Sequence, residues 1–113
     1  MVIGIDYDDT WTKDPKFWRA FCHSVLNHTK HQIVMVTQRC ECWPEQVKQV
    51  HEDVGENFIP IVFAGDPVLP QSKIEAARHA GWMVDVWIDD NPISVTTQMY
   101  RIRERGYDVG EEF

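Results

Sequence analysis

The chain of 113 residues carries a formal net charge of −7, with 43% apolar and 26% charged residues. A chain of this length can bury the core of one domain, so we predict a single domain over residues 1–113. The acidic balance argues against general nucleic-acid binding, which needs a basic face. No apolar run in the sequence reaches membrane-spanning length, so we expect no membrane partner.

The cysteines Cys22, Cys40 and Cys42 are odd in number and come without a secretory segment. This usage favours reduced thiols over a disulfide framework, so we expect a cytoplasmic protein. A zinc site at Cys40 and Cys42 is disfavoured, because one residue separates them and no second pair matches.

Apolar strands and amphipathic helices are predicted to alternate along the chain. The predicted strands cover residues 2–5, 32–37, 58–63 and 82–88. The predicted helices run from Pro15 to about Asn27, from Pro44 to Val54, from about Pro70 to Gly81, and from about Pro92 to Gly106, with Val95, Met99 and Ile102 on the last of them. Residues 107–113 are either a short edge strand or an acidic tail.

The βαβαβαβα order indicates an α/β protein with a three-layer, Rossmann-like parallel sheet and helices on both faces. Pro60 cannot donate to a ladder, so the third strand is predicted to lie at an edge of the sheet. The carboxyl ends of the first, second and fourth strands share one edge, where open α/β sheets place their ligands.

Polar side chains are predicted to gather at that edge. They come from four stretches, namely Asp6, Asp8 and Thr10; Thr37 and Arg39; Lys73; and Asp89 with Asp90. Close carboxylates repel one another unless a cation holds them, and Mg²⁺ prefers such oxygen ligands. Lys73 lies in a first helical turn, where the macrodipole disfavours a cation, so nearby carboxylates or phosphate are expected to hold it.

Three residues at this edge are assigned to substrate binding. They are Thr10, Gln38 and Arg39. The planar fork of Arg39 suits a second anionic group of the substrate, and a solvated loop arginine is the alternative.

These motifs, in this order, resemble the haloacid dehalogenase superfamily. An apolar strand is followed by Asp6-Tyr7-Asp8-Asp9-Thr10, Thr37 ends the next strand, Lys73 begins a helix, and Asp89-Asp90 ends a later strand. The resemblance spans residues 2–92. It implies the strand order 4-1-2-3, which sets the first and fourth strands side by side.

The resemblance also implies a role for each motif residue. Asp6 would be the nucleophile that forms an aspartyl-phosphate, and Asp8 would act as acid and then base. Thr37 and Lys73 would hold the phosphoryl oxygens. The Mg²⁺ ligands would be Asp6, the backbone carbonyl of Asp8, and the acidic pair Asp89 and Asp90, either of which is the direct ligand. An acid at position 8 favours a phosphatase over a dehalogenase.

The short connections at residues 7–13 and 64–69 leave no room for the cap domain of many relatives. An open site suits a bulky phosphorylated substrate or a nucleotide, or a homo-oligomer in which another subunit closes it. Two other functions remain open at this point. One is a catalytically inactive metal-binding or interaction protein on the same fold. The other is a receiver-type signalling domain with Asp66 as phosphoacceptor.

Overall fold

Four parallel strands form one sheet in a computed structural model that describes residues 1–66, 68 and 70–97. The strands are β1 (Val2–Ile5), β2 (Gln32–Cys40), β3 (Ile61–Gly65) and β4 (Val86–Ile88). The helices are α1 (Pro15–His28), α2 (Pro44–Val54), α3 (Lys73–His79) and α4 (Ile93–Thr96), with a 3₁₀ turn at Trp11–Lys13. The sheet order is β3-β2-β1-β4, which is the predicted order read from its other edge.

Helices cover both faces of the sheet and give the predicted three layers. On one face, Ile3 and Ile5 of β1 form a core cluster with Cys22 of α1 and Val50 of α2. On the other face, a second cluster contains Val34 and Val36 of β2 together with Ala76 and Ala77 of α3. Burial of these apolar surfaces is the main favourable term that fixes the layers.

Local signals set three helix ends, two of them as the sequence predicts. The Asp14 side chain accepts a hydrogen bond from the backbone N–H of Phe17 at 3.2 Å, and Pro15 follows at the first helical position. The α2 helix ends at Gly55, whose φ of 103° suits a residue without a side chain. The α3 helix begins at Lys73, later than the predicted start near Pro70, and it has a capping box between Ser72 and Glu75 that was not predicted.

Several predicted boundaries are wrong. The β2 strand continues through Gln38 and Arg39 to Cys40, where a loop was expected. Its register with β3 shifts between the Thr37–Phe63 pair and the Cys40–Gly65 pair. A bulge of this kind changes the direction of the side chains near it and locally interrupts the ladder.

Other differences lie at the remaining strand ends and in α1. The β3 strand begins at Ile61 instead of residue 58, although it lies at the predicted sheet edge, and β4 covers only Val86–Ile88. The helical spacing of Phe17, Phe21 and Val25 predicts that all three face the core, but Phe17 is 55% exposed, while Phe21 and Val25 pack partly buried against it. Cys22 is the buried residue of α1. The last predicted helix is described as far as Thr96; Met99, Ile102, Gly106 and residues 107–113 lie outside the described residues.

The structure describes residues 7–13 and most of residues 64–69, and these described residues contain no inserted cap domain. Between β1 and α1 the chain makes only the turn at Trp11–Lys13. Within the described ranges, no inserted domain therefore covers the carboxyl-terminal edge of the sheet. Across the same described ranges, no helix has the length and apolar character needed to cross a bilayer.

Gly65 fixes the bulge of β2 by allowing a close backbone approach. A Cβ added at Gly65 would stand 1.9 Å from the carbonyl oxygen of Gln38 and 3.0 Å from the carbonyl carbon of Arg39. No L side chain fits at such distances from backbone atoms. Gly65 is thus the residue that lets β3 pair with a bulged β2.

We predict that Gly65→Ala destabilises the protein by about 1–3 kcal/mol, the usual cost of forcing extra atoms into a packed site. Urea unfolding followed by circular dichroism measures this change. The control is Val68→Ala, because Val68 is 80% exposed. Substitutions of exposed residues usually change the free energy of unfolding by less than about 0.5 kcal/mol. Equal stability of the two variants would show that the close approach is unimportant.

Candidate active site

Three elements bring the central charges of the candidate site together. Asp6 directly follows β1, and its backbone N–H donates to the carbonyl of Ile88 at 3.0 Å, so the ends of β1 and β4 are fixed side by side. Asp89 directly follows β4, and Lys73 is the first residue of α3. The parallel sheet order therefore places two aspartates from distant parts of the chain beside one lysine.

Lys73 forms a buried ion pair with each of these two aspartates. Its Nζ lies 2.7 Å from Asp6 Oδ1 and 2.6 Å from Asp89 Oδ2. The side chains are 0%, 1% and 2% exposed for Lys73, Asp6 and Asp89. Burial alone would lower the pKa of Lys73, but the two carboxylates outweigh it and the pKa is raised. Lys73 is therefore held as a cation.

The Asp6 carboxyl group is subject to opposing effects. Together these effects raise its pKa from 3.8 to about 8: burial raises it most, the charge of Lys73 lowers it, and the charge of Asp89 raises it. One ammonium does not offset the desolvation of two neighbouring carboxylates. The site is thus short of positive charge.

Asp90 and Thr10 complete the cluster. Thr10 Oγ1 donates to Asp6 Oδ2 at 3.3 Å or to Asp90 Oδ1 at 3.5 Å, and it accepts from the Asp90 backbone N–H at 3.2 Å. Carboxylate oxygens of Asp6, Asp89 and Asp90 all lie within 4.8 Å of one another. The β1 turn and the β4 turn are thus joined through one threonine hydroxyl.

A metal ion could be held by the carboxylates of Asp6, Asp89 and Asp90. When ionised, they exceed the charge of Lys73 by two, which one divalent cation would neutralise. Clustered carboxylate oxygens are the ligands that hard cations such as Mg²⁺ and Ca²⁺ take. The predicted role of the Asp8 backbone carbonyl in this set stays a prediction.

The Asp8 side chain binds Arg39 and is not among the three clustered aspartates. Arg39 Nε donates to Asp8 Oδ2 at 3.0 Å, and its NH2 nitrogen donates to Asp8 Oδ1 at 2.8 Å. The remaining guanidinium nitrogen donates to Gln49 of α2 at 3.2 Å. The bonds to Asp8 raise the pKa of Arg39. The guanidinium fork that was assigned to a substrate anion is therefore engaged by the protein itself.

The aromatic ring of Tyr7 also contacts Arg39 of the Arg39–Asp8 ion pair. The Arg39 guanidinium carbon lies 5.0 Å from the centre of the Tyr7 ring, which is a cation–π distance. The Tyr7 hydroxyl donates to Asp53 of α2. Gln49 and Asp53 were not predicted as site residues. Both occupy exposed positions of α2, where polar residues are ordinary and do not indicate a contact with β2 or with the turn after β1.

Thr37 and Gln38 also lie near the end of β2, and both are buried. Thr37 is fully buried, and its Oγ1 accepts from the Arg39 backbone N–H at 3.2 Å. The Gln38 side chain is 3% exposed and donates to the Ser94 carbonyl of α4 at 3.3 Å. Its assignment to substrate binding stays a prediction. The strand continues through Gln38, so the side chain turns inward.

The expectation of three reduced thiols is also wrong. Cys40 and Cys42 are joined in a disulfide, and Cys22 is free and buried. The sequence did not indicate this disulfide, because two cysteines separated by only one residue are an uncommon spacing for structural disulfides.

A cavity of 330 Å³ lies against the cluster on the side of the 3₁₀ turn. It is lined by Asp9, Thr10, Lys13, Trp18, Ile88, Asp89 and Asp90. The cavity therefore places an aromatic ring and a lysine beside the proposed metal ligands. Neither Lys13 nor Trp18 was predicted as a site residue.

Comparison of the chain with protein-family models, curated proteins and solved structures gives no match. The fold and the carboxylate cluster are therefore the observations from which a function can be inferred.

We predict that Lys73→Met lowers the free energy of unfolding by about 3–5 kcal/mol, because it leaves two buried carboxylates without a counter-charge. Urea unfolding at neutral pH measures the loss. The control is Lys48→Met, which removes an exposed ion pair with Glu52 at 3.7 Å and should cost less than about 1 kcal/mol. Similar losses in both variants would contradict the role of Lys73.

We also predict that Mg²⁺ affinity rises with pH between pH 6 and about 8 and then levels off. Burial raises the pKa of Asp6 to about 8, so an ion must displace a proton from this carboxyl group below that pH. Calorimetry in buffers of different ionisation enthalpy should show proton release on binding at pH 6.5 and little above pH 9. Proton release that does not change with pH would contradict the prediction.

Proposed function

We propose that this chain is a Mg²⁺-dependent phosphohydrolase that cleaves phosphoric monoesters through an aspartyl-phosphate on Asp6. We further propose that it is a small capless member of the haloacid dehalogenase-like superfamily and that it acts in the cytoplasm. The observation that carries the proposal is the buried contact of Lys73 with Asp6 and Asp89 beside Asp90. Such a site places a carboxylate nucleophile, Asp6, beside the positive charge of Lys73. Phosphoryl transfer requires both, because the charge of the transferred group must be neutralised.

Asp6 is suited to the first step by the way it is held. Lys73 binds Asp6 Oδ1 at 2.7 Å, whereas Oδ2 has the longer 3.3 Å contact with Thr10. In the proposed step, Oδ2 attacks phosphorus and the bond between phosphorus and the leaving oxygen breaks. The ammonium of Lys73 and the hydroxyl of Thr37 would hold the phosphoryl oxygens. Mg²⁺, when bound by Asp6 and the acidic pair, would supply further positive charge.

Asp8 serves both proton transfers in this mechanism. It gives a proton to the leaving oxygen, and it later takes one from the water that attacks the aspartyl-phosphate and releases phosphate. Both Asp8 oxygens accept hydrogen bonds from Arg39 in the structure. That arrangement suits the carboxylate form that activates water. Arg39 must release one oxygen before Asp8 can carry the proton for the first step.

The open edge and the cavity favour a bulky phosphorylated substrate or a nucleotide. Trp18 and Ile88 offer apolar surface to a leaving group, and Lys13 offers a positive charge. A homo-oligomer is one way in which such a site would be closed to water during the reaction.

The competing proposal is a catalytically inactive protein that keeps the fold and binds a metal or a partner. A screen of phosphate monoesters with Mg²⁺ separates the two. Hydrolysis that depends on Mg²⁺ supports the enzyme, and Mg²⁺ binding without hydrolysis of any substrate class supports the inactive protein.

We predict that Asp6→Asn reduces turnover to background while the fold is retained, because the amide is not a nucleophile of comparable strength. Asp8→Asn should retain Mg²⁺ binding and lose about 10²–10⁴ in rate, which general acid–base catalysis typically contributes. Steady-state kinetics, with circular dichroism as the folding check, measures both.

The control variant is Glu56→Gln, because Glu56 is exposed after α2 and lines neither the cluster nor the cavity. Turnover in Asp6→Asn that matches the unmodified protein would rule out the covalent mechanism.

A further inference from the structure

The disulfide between Cys40 and Cys42 lies directly after Arg39, at the end of β2. The two sulfur-bearing residues differ in access to solvent: Cys40 is 7% exposed, whereas Cys42 belongs to the exposed residues of the turn before α2. A dissolved thiol can therefore reach the Cys42 end of the bond more readily than the Cys40 end. This asymmetry is a feature of reactive disulfides, whose exchange depends on access and on which sulfur is attacked.

Backbone groups around the disulfide favour negative charge on its sulfurs once it opens. The Cys42 backbone N–H lies 3.1 Å from Cys40 Sγ and donates to it. The eleven-residue helix α2 begins at Pro44, two residues after Cys42, with its positive end toward the turn. Both features stabilise a thiolate, which makes that sulfur a better leaving group.

We propose that Cys40–Cys42 is a thiol–disulfide exchange site for small monothiols and that its state controls how firmly Arg39 holds Asp8. The thiol class is chosen by size and chemistry: Cys42 is an exposed residue of the turn, which a small thiolate can approach. The exchange itself is independent of the phosphohydrolase proposal. Its effect on Asp8 rests on that proposed function.

The exchange proceeds in two balanced steps. A small thiolate attacks Cys42 Sγ, a mixed disulfide forms there, and Cys40 leaves as a thiolate that takes a proton from water. A second thiolate attacks the outer sulfur of the mixed disulfide, which releases Cys42 as a thiolate and the small molecule as its own disulfide. Two small thiols are oxidised, and the protein disulfide is reduced.

Opening the disulfide acts on the site through the chain between β2 and α2. Arg39 is adjacent to Cys40, and its guanidinium contacts both Asp8 and Gln49 of α2. The Trp43 backbone N–H donates to the Cys40 carbonyl at 3.4 Å, so the closed turn also sets the start of α2. Reduction removes the covalent link across this turn. Arg39 then positions Asp8 less well, and the hydrolysis step, which uses the Asp8 carboxylate, slows.

The exchange is tested with reduced and oxidised glutathione as the probe. Native protein is incubated with mixtures of the two, quenched with acid and analysed by peptide mass spectrometry. The expected result is a glutathione adduct on Cys42 and none on Cys40. Cys40→Ser should still form the Cys42 adduct, and Cys42→Ser should form none on the buried Cys40. A disulfide that stays closed in native protein at every ratio, or adducts mainly on Cys40, would overturn the proposal.

The effect on the site is tested by two measurements on oxidised and reduced protein. Turnover of a phosphate monoester should fall about tenfold on reduction, less than the ~10²–10⁴ that loss of acid–base catalysis costs, because Asp8 itself remains. The double variant Cys40→Ser with Cys42→Ser should match the reduced protein, and Cys22→Ser should respond as the unmodified protein does.

Amide hydrogen exchange at residues 38–43 gives a readout that does not need enzyme activity. It should speed up on reduction. Unchanged exchange there would contradict the coupling, whether or not the protein hydrolyses phosphate. Unchanged turnover in reduced protein that is otherwise an active phosphatase would contradict it as well, while leaving the proposed function intact.

Discussion

A lysine ammonium with no exposed surface lies between two carboxylates, and the rest of the candidate site depends on this contact. Lys73 joins the start of α3 to the ends of β1 and β4, through Asp6 at 2.7 Å and Asp89 at 2.6 Å. The three groups can be buried together because each supplies the counter-charge that the others need. The remaining deficit of positive charge is what makes the cluster, with Asp90, suited to a divalent cation.

The second half of the site is arranged around Arg39. Its guanidinium binds both oxygens of Asp8, contacts Gln49 and lies over the ring of Tyr7. These contacts give Asp8 a cationic partner other than Lys73, although Asp8 follows Asp6 by only two residues. Two neighbouring carboxylates thus have separate cationic partners, which lets one act as nucleophile and the other as acid and base in the proposed mechanism.

The parts of the fold that follow from local and periodic signals could be predicted from the sequence. The apolar run of β1 leads into Asp6, the Asp14-Pro15 pair starts α1, and Gly55 ends α2. The meeting of Lys73 with the acidic turns could also be anticipated, because parallel strands place their carboxyl ends at one edge and a first-turn lysine calls for a negative partner.

Features that arise from tertiary pairing could not be predicted. Gln38 and Arg39 look like loop residues in sequence, but β3 pairs with β2 past them, and this bulge turns Gln38 inward and Arg39 toward Asp8. The close approach at Gly65 that permits the bulge has no local signature. The disulfide of Cys40 with Cys42 depends in the same way on the path of the chain after the bulge.

The most direct test of the central claim is a crystal structure of the protein with Mg²⁺ and beryllium fluoride, which mimics a phosphoryl group bound to a carboxylate. The account predicts the fluoride adduct on the Asp6 carboxylate, with one Mg²⁺ bound by Asp6 and the Asp89–Asp90 turn, and with Lys73 contacting a fluorine. An adduct on Asp66, or a metal ion bound away from Asp6 with no adduct there, would contradict it.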